Sequence, residues 1–327
     1  MDTSFFSSRR VVVTGGEGFI GSHLVESLLS AGADVTVFAH YKPYGENGHI
    51  AHLLDDVRLV GGDIRDADQV SRVVAGADTV FHLAALIGIP YSYVAPDSYL
   101  QTNIAGTRNV AEAVRRHDVR RLVHTSTSEV YGSAITVPIS EDHPLQPQSP
   151  YSASKIGADM MAMSYFHSFE TPVSVCRPFN TYGPRQSARA VIPAILGQIH
   201  AGARTLRIGS TTPTRDFTYA TDTAAGFMAI AAADAAIGRT LNLGTGHEIS
   251  VGDLITRLVE ISGAEVALEQ DAERIRPAGS EVDRLLSDNS LARELTGWAP
   301  TTSLRDGLER TWEWVQRQPV KPLGYER

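Results

Sequence analysis

The chain has 327 residues, 43% of them hydrophobic, and a formal net charge of -8 at pH 7. Such a length buries a large core, as one big domain or two smaller ones, and Lys and Arg scattered without a dense basic run exclude a nucleic-acid footprint, so an anionic substrate has to be held by locally placed arginines. Residues Met1 to Arg10 lack the apolar core of a signal peptide and no apolar run approaches the roughly 20 residues of a membrane span, so a cytoplasmic protein with no membrane partner is expected.

Short β-branched runs alternate with longer helix-like stretches through the first half, the pattern of βαβ units and a parallel sheet. Strands are expected at Arg10–Thr14, Asp34–Phe38, Val57–Val60, Thr79–Leu83, Arg121–Thr125 and Val173–Arg177. Helices are expected at Gly21–Ala31, Ala67–Val74, near Asp97–His117 and from about Pro150 to Phe169. Right-handed crossovers make six such strands a doubly wound sheet whose ligand crevice lies beyond the carboxyl ends of the strands. Cys176, the single cysteine, sits in an apolar run and reads as a small buried hydrophobe. Past Arg177 the rhythm weakens into Gly/Pro loops, with helices expected at Val191–His200, Val251–Ser262, Ser290–Leu295 and Leu304–Gln316 and a strand at Thr240–Asn242. No repeat or low-complexity segment is visible. The expected fold is therefore α/β, a doubly wound parallel sheet of the Rossmann type with a smaller α/β substrate-binding lobe. Residues 1–177, with about 215–240, form the dinucleotide-binding domain, and residues 178–214 and 241–327 the lobe.

At the first strand the chain reads Val11-Val12-Val13-Thr14-Gly15-Gly16-Glu17-Gly18-Phe19-Ile20-Gly21. Gly15, Gly18 and Gly21 allow a tight turn, a close approach to a pyrophosphate and helix-on-sheet packing, and the helix start offers free N–H groups to the phosphates. An ordinary strand-to-helix loop is the plainer reading, but the flanking elements favour a dinucleotide. The acid that ends the second strand in such sites is missing, because the chain there reads Phe38-Ala39-His40-Tyr41-Lys42. His40 and Lys42 would suit a 2′-phosphate or be ordinary solvated residues, so NAD is expected with NADP left open. Asp63, after the third strand, is a candidate for the adenine amino group or for a helix cap.

Tyr151 and Lys155, four apart, share one helix face. A lysine ammonium beside a phenol favours the phenolate, so Tyr151 is expected to take a proton from a sugar hydroxyl as hydride leaves for nicotinamide. The glycine turn and this pair together resemble the short-chain dehydrogenase/reductase family, and chain length with Arg177-Pro178-Phe179-Asn180-Thr181-Tyr182-Gly183-Pro184-Arg185 resembles its extended, nucleotide-sugar branch. Matching stretches include Phe81–Ala85, Thr102–Thr107 and Arg215–Tyr219. The resemblance implies that Phe19, Ile20, Ile64, Leu83, Ala84 and Ala85 line the cofactor together with Tyr151 and Lys155. It implies that Asn180, Arg215 and Arg276 face the nucleotide diphosphate, with Arg189 and Val191 also on the substrate, and that no metal takes part.

His124-Thr125-Ser126-Thr127-Ser128-Glu129-Val130-Tyr131-Gly132 lies at the carboxyl end of the fifth strand. By the resemblance Thr127 hydrogen-bonds the sugar 4-hydroxyl, and Thr-Ser-Glu at 127–129 is similar to sugar 4,6-dehydratases and to UDP-glucuronate decarboxylases. Once carbon 4 is a ketone the proton on carbon 5 is acidic, and Glu129 is a suitable base to remove it as the 6-hydroxyl departs as water. Ser128 stands where glucose-type dehydratases carry an acid, and a serine is a poor proton donor alone. The segments Ile87–Tyr93, Pro147–Tyr151, Arg185–Pro193 and Arg274–Arg284 look most like dehydratases of the legionaminic-acid type, which act on nucleotide-linked N-acetylglucosamine. The expected reaction is 4,6-dehydration of UDP- or GDP-N-acetylglucosamine, ahead of decarboxylation and 4-epimerisation. A catalytically dead dinucleotide sensor is the non-enzyme alternative. A homodimer is implied, the helices near 97–117 and at Tyr151 pairing across a two-fold, although Met160, Met161 and Met163 would serve a core equally well.

Overall fold

A computed structural model describes residues 3–43, 45, 47–271 and 282–320; Arg276 and residues 274–281 of the similar tail lie outside them. Through the first half the chain forms β1 (Arg10–Thr14), α1 (Phe19–Ser30), β2 (Asp34–His40), β3 (Arg58–Gly62), α2 (Ala67–Val74), β4 (Thr79–His82), α3 (Ile89–Val94), α4 (Pro96–Tyr99), α5 (Gly106–Arg116), β5 (Arg121–Thr125), α6 (Pro150–Phe169) and β6 (Val173–Pro178). The second half adds β7 (Asn180–Tyr182), α7 (Val191–His200), β8 (Thr205–Ile208), β9 (Thr214–Tyr219), α8 (Ala220–Ala232), β10 (Thr240–Leu243), β11 (Glu248–Ser250), α9 (Val251–Ser262), β12 (Ala267–Gln270), β13 (Arg284–Leu285), α10 (Ser290–Thr296) and α11 (Leu304–Gln316).

Seven parallel strands in the order β10-β6-β5-β4-β1-β2-β3 make the main sheet. Helices cover both faces, so the central strands are apolar on both: Val11, Val12 and Val13 are all buried. Strand order reverses between β1 and β4, and there the crevice opens. The sheet has one strand more than expected, because β10 pairs with β6 and buries Leu241 and Leu243. A lobe boundary at residue 241 would fall inside that strand.

A smaller sheet is built on β9, with β11 antiparallel and β13 parallel beside it and β7 paired to its second half. Residues 214–219 thus belong to this lobe rather than to the main sheet. Its core sets Ile192 and Leu196 of α7 against Leu254 and Leu258 of α9 and Leu308 of α11. A second small pair joins β8 to β12.

Several helices run where their sequence predicts, α2, α6, α7, α9 and α11 to the residue. The single helix expected near 97–117 is instead α4, a π-helical stretch at Leu100–Ala105 and α5 in succession. Among the described residues no helix is long and apolar enough to cross a membrane.

Candidate active site

The glycine turn joins β1 to α1 at the point where strand order reverses. Gly15 has a φ of 71°, open to glycine at little cost, and a Cβ there would stand 2.9 Å from the backbone nitrogen of Ala84. At Gly21 a Cβ would come within 2.3 Å of the Gly15 carbonyl oxygen. Side chains are thereby kept out of a backbone cradle at the start of α1, where N–H groups suit a pyrophosphate. Leu83–Ala85 forms the opposite wall. Its position is set by a hydrogen-bond chain: Thr107 donates to the Asn103 carbonyl (2.6 Å), and His82 touches Thr107 through Nε2 (3.1 Å) and Thr14 through Nδ1 (2.8 Å). Ala84 N donates to Thr14 Oγ1 at 3.1 Å. Since the Thr107 proton is already spent, a neutral His82 donates from Nε2 and accepts at Nδ1. Burial lowers the pKa of His82 well below the usual histidine range, which keeps the ring neutral.

Asp63 does not cap the next helix; Asp66 does, accepting from Asp68 N and Gln69 N. The Asp63 carboxylate is paired with Arg65 at 2.5 Å, and that hydrogen bond holds its pKa down at about 2. Ile64 is buried, and its carbonyl accepts from Asn109 Nδ2. His40 and Lys42 are exposed.

On the catalytic side α6 is started firmly: Ser149 caps it by accepting from Ser152 N (3.1 Å), Ser152 Oγ accepts from Ser149 N (3.0 Å), and Pro150 occupies the first turn. Tyr151 is therefore held within that turn, with Lys155 and Asp159 below it on the same face. Lys155 Nζ donates to the Thr125 carbonyl at 2.5 Å. Burial lowers the Lys155 pKa to about 8, opposed by the charge of Asp159. For Tyr151 the neighbouring ammonium does not prevail: burial raises the phenol above its ordinary value, although a hydrogen bond with Thr127 draws it down. The pair alone does not make the phenol acidic, because the removal of water around it and the nearby charges of Glu129 and Asp159 all disfavour the phenolate.

Thr127 caps the 3-10 turn Ser128–Tyr131, accepting from Glu129 N at 3.2 Å. Glu129 stands near enough for its charge to disfavour the Tyr151 phenolate. Thr127, Glu129 and Tyr151 are thus brought together at the mouth of the sheet. Ser128 lies buried between the other two, 3% exposed.

The resemblance to the extended short-chain dehydrogenase/reductase family is borne out by comparison. The sequence profile of GDP-mannose 4,6 dehydratase matches residues 12–311. The dTDP-glucose 4,6-dehydratase of Streptomyces griseus is 35% identical over 96% of this chain and 98% of its own. A UDP-glucose 4-epimerase of Mycolicibacterium smegmatis is also 35% identical, over 94% and 99%. The crystal structure of dTDP-glucose 4,6-dehydratase from Streptomyces venezuelae, with NAD bound, superposes with a TM-score of 0.87 at 31% identity, covering 96% of this chain and all of that one. The chain belongs to the GDP-mannose 4,6-dehydratase family.

Within that family's extended short-chain dehydrogenase/reductase fold, the residues expected on the substrate side lie on β7, β9, α7 and the segment before α7. Asn180 begins β7, and its side-chain oxygen is buried without a hydrogen-bond partner among the described residues. Arg215 is buried on β9, one Nη donating to the Thr214 carbonyl. Arg189 is exposed and reaches the Gly88 turn, whose Cβ position lies 3.6 Å from its guanidinium. Val191 opens α7.

Three groups had no role assigned from the sequence, although Asn103 lies within the matching stretch Thr102–Thr107. Asn103, placed by the π-helical stretch, accepts from Leu86 N and donates to the Leu86 carbonyl and to Ser154 Oγ, tying the cofactor wall to α6. Tyr99 donates to the Gly88 carbonyl and packs edge-on against Tyr151, ring centres 6.3 Å apart. Asp159 accepts from Ser126 (2.7 Å) and Arg177 (3.0 Å) and contacts His124. Burial would raise the Asp159 pKa, but His124 and Arg177 outweigh it and hold the carboxyl below the ordinary range. Its place one turn beyond Lys155 is the signal that was available.

Proposed function

We propose that this chain is an NAD-dependent nucleotide-sugar 4,6-dehydratase of the cytoplasm, with UDP- or GDP-N-acetylglucosamine as substrate. The observation that carries the reading is Glu129 beside Thr127 and Tyr151 at the carboxyl end of β5. The main sheet holds the dinucleotide, and the lobe built on β9 holds the nucleotide sugar. Fit to a dinucleotide is supported by the cradle at Gly15 and Gly21, which any Cβ would fill. Gly15, Gly18, Phe19, Ile20 and Gly21 would take the pyrophosphate, Asp63 and Ile64 the adenine, Leu83, Ala84 and Ala85 the nicotinamide side, and Tyr151 and Lys155 its ribose. Asn180, Arg189, Val191, Arg215 and Arg276 would hold the substrate; the unpartnered oxygen of Asn180 is suited to a ligand donor.

A bound NAD would supply the two-electron chemistry, as acceptor of the hydride from carbon 4 and its donor at carbon 6. Thr127 hydrogen-bonds the 4-hydroxyl, and Tyr151 takes its proton as the ketone forms. Lys155, fastened to Thr125, holds a positive charge under the phenol and lowers the energy of the phenolate in that moment. Glu129 removes the proton from carbon 5 and gives it to the departing 6-hydroxyl, which leaves as water. Buried Ser128 is left to support the turn. As hydride reaches carbon 6 a proton must return to carbon 5; it balances the one that Tyr151 took from the 4-hydroxyl, so the net loss is one water.

Two further readings share the oxidation at carbon 4. The 35% identity to a 4-epimerase, equal to that with a dTDP-glucose 4,6-dehydratase, is compatible with epimerisation, and Thr-Ser-Glu itself is compatible with decarboxylation of UDP-glucuronate. Incubation with a panel of nucleotide sugars, followed by mass spectrometry, separates them. The dehydratase gives a product lighter by one water from an N-acetylglucosamine nucleotide without net cofactor reduction. Carbon dioxide from UDP-glucuronate, or an isomer of unchanged mass, replaces the proposal with one of the others. The same proposal includes a homodimer in which α5 and α6 meet a second copy; Met160 on α6 is 50% exposed, and sedimentation gives the answer.

A further inference from the structure

The second strand ends without the acid that fixes the adenosine ribose in dinucleotide folds, yet a carboxylate reaches the same place from the neighbouring element. Thr14 of β1 is in register with Phe38 of β2, and Gly15 N donates to the Phe38 carbonyl at 2.9 Å, so the glycine turn runs alongside the last residues of β2. Glu17 stands at the middle of that turn. One of its oxygens, Oε1, accepts from the backbone N–H of His40 at 3.2 Å, which extends the side chain across the gap between the two strands. The other, Oε2, is buried and has no hydrogen-bond partner among the described residues.

The backbone around Glu17 is also fixed. Its carbonyl accepts from His49 N at 2.9 Å, and Gly48, with a φ of 59°, passes so close that a Cβ there would lie 2.5 Å from that carbonyl oxygen. Residues 48 and 49 therefore cover Glu17 from outside. A buried carboxylate oxygen lacking a donor is costly and calls for one. In a doubly wound sheet the neighbourhood of the glycine turn and the end of the second strand is where the adenosine ribose lies. The ribose 2′- and 3′-hydroxyls are donors. A 2′-phosphate has none to offer at neutral pH and brings nearly two negative charges against the carboxylate.

We propose that Glu17 replaces the missing acid at the end of β2 and selects NAD over NADP by accepting a hydrogen bond from an adenosine ribose hydroxyl. The inference rests on the reading of the crevice as a nicotinamide dinucleotide site. It assigns cofactor choice to the glycine turn, whereas exposed His40 and Lys42 would have favoured the 2′-phosphate.

The test is equilibrium binding of NAD+ and NADP+ by calorimetry to the wild-type chain and to Glu17→Gln, with thermal melting to verify folding. The wild type should prefer NAD+, and Glu17→Gln should lower that preference by about ten- to hundredfold, the range of a hydrogen bond to a charged group. A preference unchanged in the variant overturns the proposal, as does a wild type that binds both equally. Binding of 2′,3′-dideoxy-NAD+ to the wild type supplies a measurement independent of the variant: it should be weaker than that of NAD+, and equal affinity also overturns the proposal. A wild type that binds neither dinucleotide overturns the underlying reading of the crevice instead.

Discussion

Lys155 and Thr125 are joined by a 2.5 Å hydrogen bond from ammonium to backbone carbonyl, which fastens the first turns of α6 to the last residue of β5. The bond crosses from helix to strand at the mouth of the sheet. It fixes the Lys155 cation one helical turn from Tyr151 while burial works against that cation, lowering its pKa from 10.5 to about 8.

A lysine whose folded pKa lies below its unfolded value destabilises the fold wherever both forms are protonated. That cost is fully present below about pH 8 and is relieved as pH rises towards 10.5. Wild type should therefore gain stability relative to Lys155→Met over that window, on the order of 3 kcal/mol in all. Urea denaturation at a series of pH values measures it, and parallel curves for the two proteins would contradict the assignment.

Tyr151→Phe should lower turnover by about a hundred- to ten-thousandfold, the usual scale for removing a general base. Dinucleotide binding should persist, since the phenol is not part of the glycine cradle. Calorimetry alongside a turnover assay checks both halves; residual activity near wild type would remove Tyr151 from the chemistry.

Glu129→Gln should keep oxidation at carbon 4 and lose elimination by about a hundredfold or more. Reduced nicotinamide should then accumulate on the protein with a 4-keto-sugar that still carries its 6-hydroxyl. Rapid-mixing absorbance detects this, and a variant that still releases water at the normal rate would transfer the role to another group.

Asp159→Asn leaves Arg177 buried without its carboxylate, and the loss of one partner of a buried pair costs about 3–5 kcal/mol. Denaturant unfolding should show it. A neutral result would mean that the Tyr131 contact to Arg177, 2.9 Å, compensates.

Gly21→Ala should destabilise by about 1–3 kcal/mol, because the new methyl would press on the Gly15 carbonyl and the Gly16 Cα, 2.3 and 2.8 Å away. Thermal melting reads this directly, and an unchanged melting point would show that the turn can widen.

The elements with a strong local signature were legible in the sequence. Val11–Val13 announces β1, and the Tyr151-to-Lys155 spacing with Ser149 and Pro150 ahead of it marks the start of α6. What escaped depended on partners distant in the chain. α8 is buried at ten of its thirteen residues, so it offers no polar stripe for a helical period. β7, β11 and β13 are two or three residues long and exist only because β9 lies beside them. The orientation of His82 depends on Thr14 and Thr107, 68 and 25 residues away, which no local motif contains. Thr127 and Glu129 fall where their motif places them, but the effect of burial on Tyr151 is a property of the closed fold.

β10 returns to the main sheet after β9 has built the lobe, and α10 returns again after β13. The polypeptide thus passes back and forth between its two halves at residues 178–180, 219–220, 243–248, 285–290 and 296–304. Halves sewn together at five seams cannot swing on a single pivot, nor can either be cut out as a free-standing fragment. Protease nicks should leave the pieces clasped, and new sugar preferences would have to arise by exchanging loops at the rim.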